Sequence, residues 1–130
     1  ENAEQYIYGF TCANDVTARD LQRKEDQWFR AKAFDTSLPL GPWIETELAH
    51  DDVNIIGRIN GEVVQSGNST DMILDVPHAV SMASEVLTLL PGDVILTGTP
   101  AGVTRMAHGD IVEVEIEDIG TLRNPAIRRD

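Results

Sequence analysis

The sequence is poor in cysteine and in basic residues, and each shortage excludes a class of function. Cys12 is the only cysteine, so the chain holds no internal disulfide framework and no cluster of thiolate metal ligands. The 10 basic residues stand against 22 acidic ones, for a net charge of −12. Such a surface repels nucleic-acid phosphates and anionic membranes, so we expect neither as a partner.

Long apolar runs are also missing. No segment is long enough to span a membrane and no signal peptide opens the chain, so with its single cysteine we expect a cytoplasmic protein. The 130 residues contain no repeat or evident linker and predict one domain with one core. The N-terminal stretch Glu1–Tyr6 lacks an initiator methionine and is typical of the middle of a protein, so we expect a longer chain.

Several segments predict strands. The run Tyr6–Ala13 is rich in aromatic and small residues and predicts a buried strand. Asn60-Gly61 separates two β-type runs, 54–59 and 62–67, which is the pattern of a tight hairpin, because both turn residues tolerate positive φ. Val94–Thr97 predicts a further short apolar strand.

Two segments predict helix. Thr17–Lys24 predicts a short helical turn, with Thr17 and Asp20 in a loose capping box. Asp75 and Pro77 predict the start of a longer helix. Its apolar residues recur at helical spacing as far as Leu90, and Pro91-Gly92-Asp93 is predicted to end it.

The last strong pattern is an alternation near the C-terminus. Val112, Val114 and Ile116 are predicted to face one way, and Glu113, Glu115 and Glu117 the other. The acidic row predicts the solvated face of an antiparallel strand, although three carboxylates also suggest a metal site at first sight. With strands in the majority, the predicted fold class is mainly β (α+β), with one helix packed on it.

Three positions could carry chemistry, and each has a structural alternative. Asp15 follows the first predicted strand and suits a hard cation such as Mg²⁺ or Mn²⁺, or it caps the following turn. Lys32 lies among apolar residues and could stabilise an enolate, or it extends along the surface into water. The segment containing Gly98 and Thr99 could bind a carboxylate through amides and hydroxyls, or it is a plain tight turn.

In order along the chain, these pieces resemble the fumarylacetoacetate hydrolase family. The matching segments are Asn14–Gln22 (Asn-Asp-x-Thr-Ala-Arg-Asp-x-Gln), Ala31–Thr36, Pro39–Trp43, Pro91–Val103 and Ile119–Pro125. The resemblance covers nearly the whole chain and is greatest to bacterial members of the acylpyruvate hydrolase and 2-hydroxyhepta-2,4-diene-1,7-dioate isomerase types. It implies part of the family's catalytic domain, a mixed β-sandwich or roll.

The resemblance also implies roles for individual residues. Asp15 would be a ligand of Mg²⁺ or Mn²⁺. Lys32 would bind the 2-oxo acid and stabilise its enolate, and Glu115 would be the family glutamate near the catalytic water. The remaining implied contacts to substrate are Arg19, Gln22, Gly98 and Thr99.

One departure limits the site. Family members supply a Glu-x-Glu pair, and usually a His-Glu pair, upstream of the segment that this chain matches. Because a hard cation needs several protein oxygens, we expect residues 1–130 to form a partial catalytic domain whose centre is completed elsewhere.

The resemblance therefore predicts a metal-dependent homodimeric enzyme. It would hydrolyse acylpyruvate-type carbon–carbon bonds or isomerise unsaturated 2-hydroxy or 2-oxo dicarboxylates through a stabilised enolate. Three alternatives stay open: an oxaloacetate-type decarboxylase at the same site, a noncatalytic β-rich interaction module, and an acidic surface that buffers cations at many equivalent sites.

Overall fold

The computed structural model describes residues 2–128 of the chain. Its strands are β1 (Phe10–Ala13), β2 (Leu40–Glu45), β3 (Asn54–Ile59), β4 (Glu62–Asn68), β5 (Ile111–Ile116) and β6 (Gly120–Pro125). Its helices are α1 (Arg19–Gln22), α2 (Phe29–Lys32) and α3 (Val76–Val86), with short 3-10 helices at Ala3–Tyr6 and Ser69–Asp71. Strands hold most of the regular structure, so the prediction of a mainly β fold is confirmed.

The strands form two antiparallel sheets. One sheet contains β1 and β2, and the other has the order β4-β3-β5-β6. β1 packs against β5 and β6, while β2 packs against β6. The two-stranded sheet therefore covers only the β5–β6 half of the larger sheet and leaves the β3–β4 half for the loops that follow.

The hydrophobic core lies between the two sheets and is small. Cys12, Ile119 and Leu122 form its buried centre, and the apolar residues Val114 and Ile116 of β5 pack against it, as their alternation predicted. Burial raises the pKa of the Cys12 thiol, so Cys12 stays protonated near neutral pH and acts as a small packing residue.

The Asn60-Gly61 hairpin is confirmed. Asn60 has φ 52° and Gly61 has φ 86°, and Ile59 pairs with Glu62 directly across the turn. The Asn60 side chain also donates to the Asp110 carboxylate at 2.9 Å, which ties the hairpin to the turn before β5. A turn that needs positive φ at two successive positions is well served by Asn-Gly.

Asp110 is expected to make the stability of this turn depend on pH. The backbone N–H of Ala107 and then the Asn60 amide, by donating to the carboxylate, lower the pKa of Asp110 from its usual 3.8. A lowered pKa stabilises the fold above the unfolded-state value, and that contribution is lost as pH falls through the folded-state value. We therefore expect Asp110→Asn to lower the urea midpoint at pH 7. The difference in midpoint from the parent should shrink progressively below pH 3.8.

The control for that measurement is Asp26→Asn, which removes the same charge in the exposed bend between α1 and α2. Urea midpoints are read at pH 7 and in acid for both variants and the parent chain. A difference between Asp110→Asn and the parent that stays constant with pH would contradict the expectation.

The strand predicted over Tyr6–Ala13 is too long. Only Phe10–Ala13 is a strand, because only these residues pair with β2. Tyr6 ends the 3-10 helix, and Tyr6 and Tyr8 are each 78% exposed. The composition of the run correctly predicts a strand. It does not show that pairing with β2 starts only at Phe10.

The strand predicted over Val94–Thr97 is wrong. These residues take no regular structure in the described part of the chain, and Val94 and Leu96 are exposed. A strand is defined by its partner, and no other described strand pairs with this segment.

The predicted start of α3 is confirmed, and its predicted end is not. The Asp75 side chain accepts from the backbone N–H of His78 at 2.9 Å, with Pro77 in the first turn. The helix ends at Val86 rather than near Leu90, and Leu87 is already extended. α3 packs mainly on the 3-10 helix Ala3–Tyr6, so little burial favours a longer helix.

Helix α1 is shorter than its prediction and begins differently. It covers Arg19–Gln22, and Ala18 precedes it without a side-chain cap. Thr17 instead donates its hydroxyl to the carbonyl of Asp15 at 3.1 Å, so the predicted capping box is not formed. None of the described helices is both long and apolar enough to cross a membrane.

Candidate active site

The loop after β1 is held against the segment that contains α2. Val16 donates its N–H to the carbonyl of Ser37 at 2.9 Å, and Ala18 donates to Ala31 at 2.9 Å. Asp15 lies on this loop, next to the first of those bonds. Two backbone anchors therefore fix a loop that has no regular structure of its own.

Asp15 and Lys32, predicted separately, form an ion pair through Asp15 Oδ2 and Lys32 Nζ. Their side chains are 37% and 33% exposed, so the pair is neither fully hydrated nor buried. The Lys32 backbone carbonyl also accepts from the Ser37 hydroxyl at 2.6 Å. The pair places one acid and one base side by side at an accessible position, where an anionic substrate or a cation could reach either one.

Arg19 and Gln22 lie on α1, whose neighbour in space is α2. Their side chains hydrogen-bond to each other, Arg19 Nη1 donating to Gln22 Oε1, and both are exposed or half-buried. The helix contact brings these two predicted substrate contacts to the same corner of the molecule as Lys32.

The loop that carries Gly98 and Thr99 crosses beside β4. Gly98 has φ 112°, a conformation that favours glycine. Thr99 is exposed, and its hydroxyl oxygen accepts a hydrogen bond at 2.8 Å from Gln65 on β4. Gln65 was not predicted from the sequence, because nothing local to β4 marks it; its contact appears only when the loop folds over the strand.

A small cleft lies beside the Thr99 loop. It has a volume of about 100 Å³ and is lined by side chains that include Asn14, Gln65, Thr99 and Val114. Asn14 directly precedes Asp15, but neither Asp15 nor Lys32 lines the cleft. Ligand pockets commonly measure about 300–1,000 Å³, and this cleft has room for one small polar group rather than for a whole substrate.

The structure does not bring Glu115 to this cleft. Glu115 forms an ion pair with Arg58 of β3 through Arg58 Nη1 and Glu115 Oε2 at 2.5 Å. Val114 lines the cleft, and so do Glu113 and Arg58, whereas Glu115 does not. Glu113 forms an ion pair with Arg123 at 3.4 Å, so two carboxylates of the acidic row are paired with arginines.

The described residues do not form a complete metal centre. Within residues 2–128, no group of three or more His, Cys, Asp or Glu side chains could hold a metal ion. Asp15 offers a single carboxylate, already paired with Lys32, whereas Mg²⁺ or Mn²⁺ needs several oxygen ligands. The donor set of this part of the chain alone does not fit a bound divalent cation.

Comparison with known proteins identifies a matching family and similar structures. Residues 1–127 match the model described as fumarylacetoacetate (FAA) hydrolase C-terminal. A crystal structure of 5-carboxymethyl-2-hydroxymuconate delta-isomerase from Mycobacterium smegmatis superposes with a TM-score of 0.98 at 50% identity, covering 99% of this chain and 51% of that one. The family resemblance and the predicted fold are thereby confirmed.

Two curated relatives extend the comparison. An uncharacterised protein from Archaeoglobus fulgidus is 57% identical over 129 residues, which cover 99% of this chain and 52% of that protein. Oxaloacetate tautomerase YisK from Bacillus subtilis is 38% identical over 134 aligned residues, covering 95% of this chain and 44% of that protein. The chain thus spans about half the length of the curated relatives it matches.

Proposed function

This chain belongs to the fumarylacetoacetate hydrolase family, and from that premise we propose that the protein is an enzyme acting on 2-oxo acids through a stabilised enolate. Its reaction is the hydrolysis of an acylpyruvate-type carbon–carbon bond, or the isomerisation of an unsaturated 2-hydroxy or 2-oxo dicarboxylate. The observation that carries the proposal is the Asp15–Lys32 pair, together with a cleft lined by Thr99 and by Asn14, the residue before Asp15. The names of relatives, an isomerase and a tautomerase, support chemistry of this kind.

Lys32 supplies the positive charge in this proposal. An enolate develops negative charge on the oxygen of the 2-oxo group, and a fixed cation beside that oxygen lowers the energy of the transition state. The bond from Ser37 to the Lys32 carbonyl holds the backbone of the lysine in place, so less ordering is needed when substrate arrives.

The Thr99 loop holds the substrate carboxylate. The Gly98 amide and the Thr99 hydroxyl are donors at an exposed position, and a carboxylate accepts several such bonds. Arg19 and Gln22 lie with α2 at the Lys32 corner and would contact another part of the same substrate. Glu115 pairs with Arg58, which lines the cleft, and its role near the catalytic water stays a prediction of the family resemblance.

A divalent cation, Mg²⁺ or Mn²⁺, belongs to the proposal as cofactor. Asp15 would give it one carboxylate oxygen, and because the described residues do not complete a centre, further ligands would have to come from outside them. The roles given to Lys32 and Thr99 do not depend on that cation.

We also infer self-association into a homodimer. The accessible surface of 9482 Å² exceeds by roughly 2,700 Å² the surface expected of a compact 14.3 kDa monomer. Large apolar side chains contribute to it, among them Trp43, Ile73, Met82 and Val86, all more than half exposed. If the protein has the length of its relatives, the rest of its chain would cover part of this surface and a second copy another part.

A calorimetric titration with Mn²⁺, with and without oxalate as an enolate mimic, tests the proposed site. In the whole protein, which would supply the further ligands, we expect one stoichiometric cation site, at least about tenfold tighter with oxalate because two ligands that contact each other bind cooperatively, and lost in Asp15→Asn. The matched control is Asp26→Asn, which should bind as the parent does. Many weak equivalent sites, unaffected by Asp15→Asn, would contradict the proposal and favour a cation-buffering surface.

A further inference from the structure

The Thr99 loop is fitted tightly against β4. A Cβ added to Gly102 would lie 1.9 Å from the carbonyl oxygen of Val64, and one added to Gly67 would lie 2.7 Å from Pro100 Cβ. Neither separation is tolerated by real atoms, so both positions require glycine for the loop to approach the strand this closely. The Thr99 loop therefore packs closely on β4, and its polar contacts with β4 are part of the same packing.

Gln65 makes the polar contacts. Its side-chain nitrogen lies 2.8 Å from the Thr99 hydroxyl oxygen and 2.8 Å from the Pro100 carbonyl oxygen. Gly57 is its partner across β3 and β4, and a Cβ at Gly57 would lie 3.1 Å from Gln65 Oε1. The missing side chain at Gly57 gives the glutamine amide the room to reach the loop.

The chemistry of these two contacts fixes the direction of the Thr99 hydroxyl. A carbonyl oxygen can only accept, so the group that Gln65 presents to Pro100 is the amide NH₂. The same NH₂ therefore donates to Thr99 as well, and the Thr99 oxygen accepts. With a donor already facing its oxygen, the Thr99 O–H proton is directed away from Gln65 and is free to donate to another acceptor.

We propose that Gln65 is a positioning residue that orients the Thr99 hydroxyl as a hydrogen-bond donor to the substrate carboxylate. This inference rests on the proposed function, since it concerns how that site holds its substrate. Gln65 acts through Thr99 and touches no reacting atom. A residue at this position that accepts instead of donating would turn the Thr99 proton inward and remove the donor from the site.

Gln65→Glu makes that reversal with little change of size. In the whole protein, measured by calorimetry with Mn²⁺ present, we expect the variant to bind oxalate about 10- to 100-fold more weakly, because it removes a donor and leaves a charged acceptor. Thr99→Val should weaken oxalate binding about tenfold. Gln5→Glu, on the 3-10 helix Ala3–Tyr6, adds the same charge away from the loop and should leave the affinity unchanged.

The double variant separates positioning from general damage. If Gln65 acts through the Thr99 hydroxyl, then Gln65→Glu costs much less affinity when Thr99→Val is already present, and the two losses do not multiply. Losses that multiply, or parental affinity in Gln65→Glu, overturn the inference while leaving the proposed function intact, because the parent chain still binds oxalate.

Amide hydrogen exchange decides the case in which the parent chain binds no oxalate. That result counts against the proposed function, but the packing of the Thr99 loop on β4 can still be measured without any ligand, from the exchange rates of its amides. Faster exchange of the amides between Gly98 and Gly102 in Gln65→Glu than in Gln5→Glu supports the positioning role of Gln65. Equal exchange in the two variants overturns it.

Discussion

Replacing Asp15 with asparagine is expected to lower turnover of a 2-oxo acid by the whole protein about 10³-fold. The substitution keeps the size of the side chain but removes the one carboxylate that lies against Lys32. In the proposal Asp15 would help to hold the divalent cation. If the loss of that cation removes about 4 kcal/mol of transition-state stabilisation, the rate falls about 10³-fold. Steady-state kinetics on an acylpyruvate and on oxaloacetate would measure it.

The same variant should change stability very little. Both side chains of the pair are about a third exposed, and exposed ion pairs contribute only about 0–1 kcal/mol. A large fall in rate at a nearly constant melting temperature therefore distinguishes a chemical role from a structural one. Parental turnover in Asp15→Asn, with Asp26→Asn as the charge control, would exclude Asp15 from the mechanism and favour a noncatalytic module.

Replacing Ile119 with alanine is expected to destabilise the chain by about 2–5 kcal/mol, the range for truncating a buried isoleucine or leucine. Ile119 is only 1% exposed and packs with Cys12 and Leu122 at the centre of the core. Ile119 is the largest fully buried side chain of the described residues, so its truncation removes a large share of the buried apolar volume of the core. A drop of about 10 °C or more in melting temperature should follow for a domain of this size.

Ile127→Ala provides the matched comparison, because it deletes the same atoms from a side chain that is 71% exposed. Its free energy of unfolding, measured by urea titration, should lie within about 0.5 kcal/mol of the parent. Similar losses in the two variants would mean that the buried cluster is not the centre of stability.

The elements that the sequence predicted well are those with a local cause. The Asn60-Gly61 turn follows from the backbone freedom of its two residues, and the start of α3 follows from Asp75 and Pro77. Elements that depend on a distant partner were missed or misplaced. Val94–Thr97 has the composition of a strand, but no described strand pairs with it, and composition does not report pairing.

The candidate site divides in the same way. The family pattern pointed to Asp15 and Lys32 separately, and folding joined them because the loop after β1 bonds to the segment around α2. Glu115 had the right residue type, but the register of β3 and β5 placed it beside Arg58. Gln65 had no sequence signal, since its importance depends on a loop more than thirty residues away.

The close packing of the Thr99 loop on β4 has a consequence for solubility. β4 is the outermost strand of the four-stranded sheet, and an uncovered outer strand offers unpaired N–H and C=O groups to strands of other molecules. Gly102 and Pro100 lie directly against Val64 and Gly67 of that strand. We therefore expect the loop to which we assign substrate binding to restrict the approach of other strands to β4 as well, and selection against aggregation would then restrict how freely this loop can change to accept new substrates.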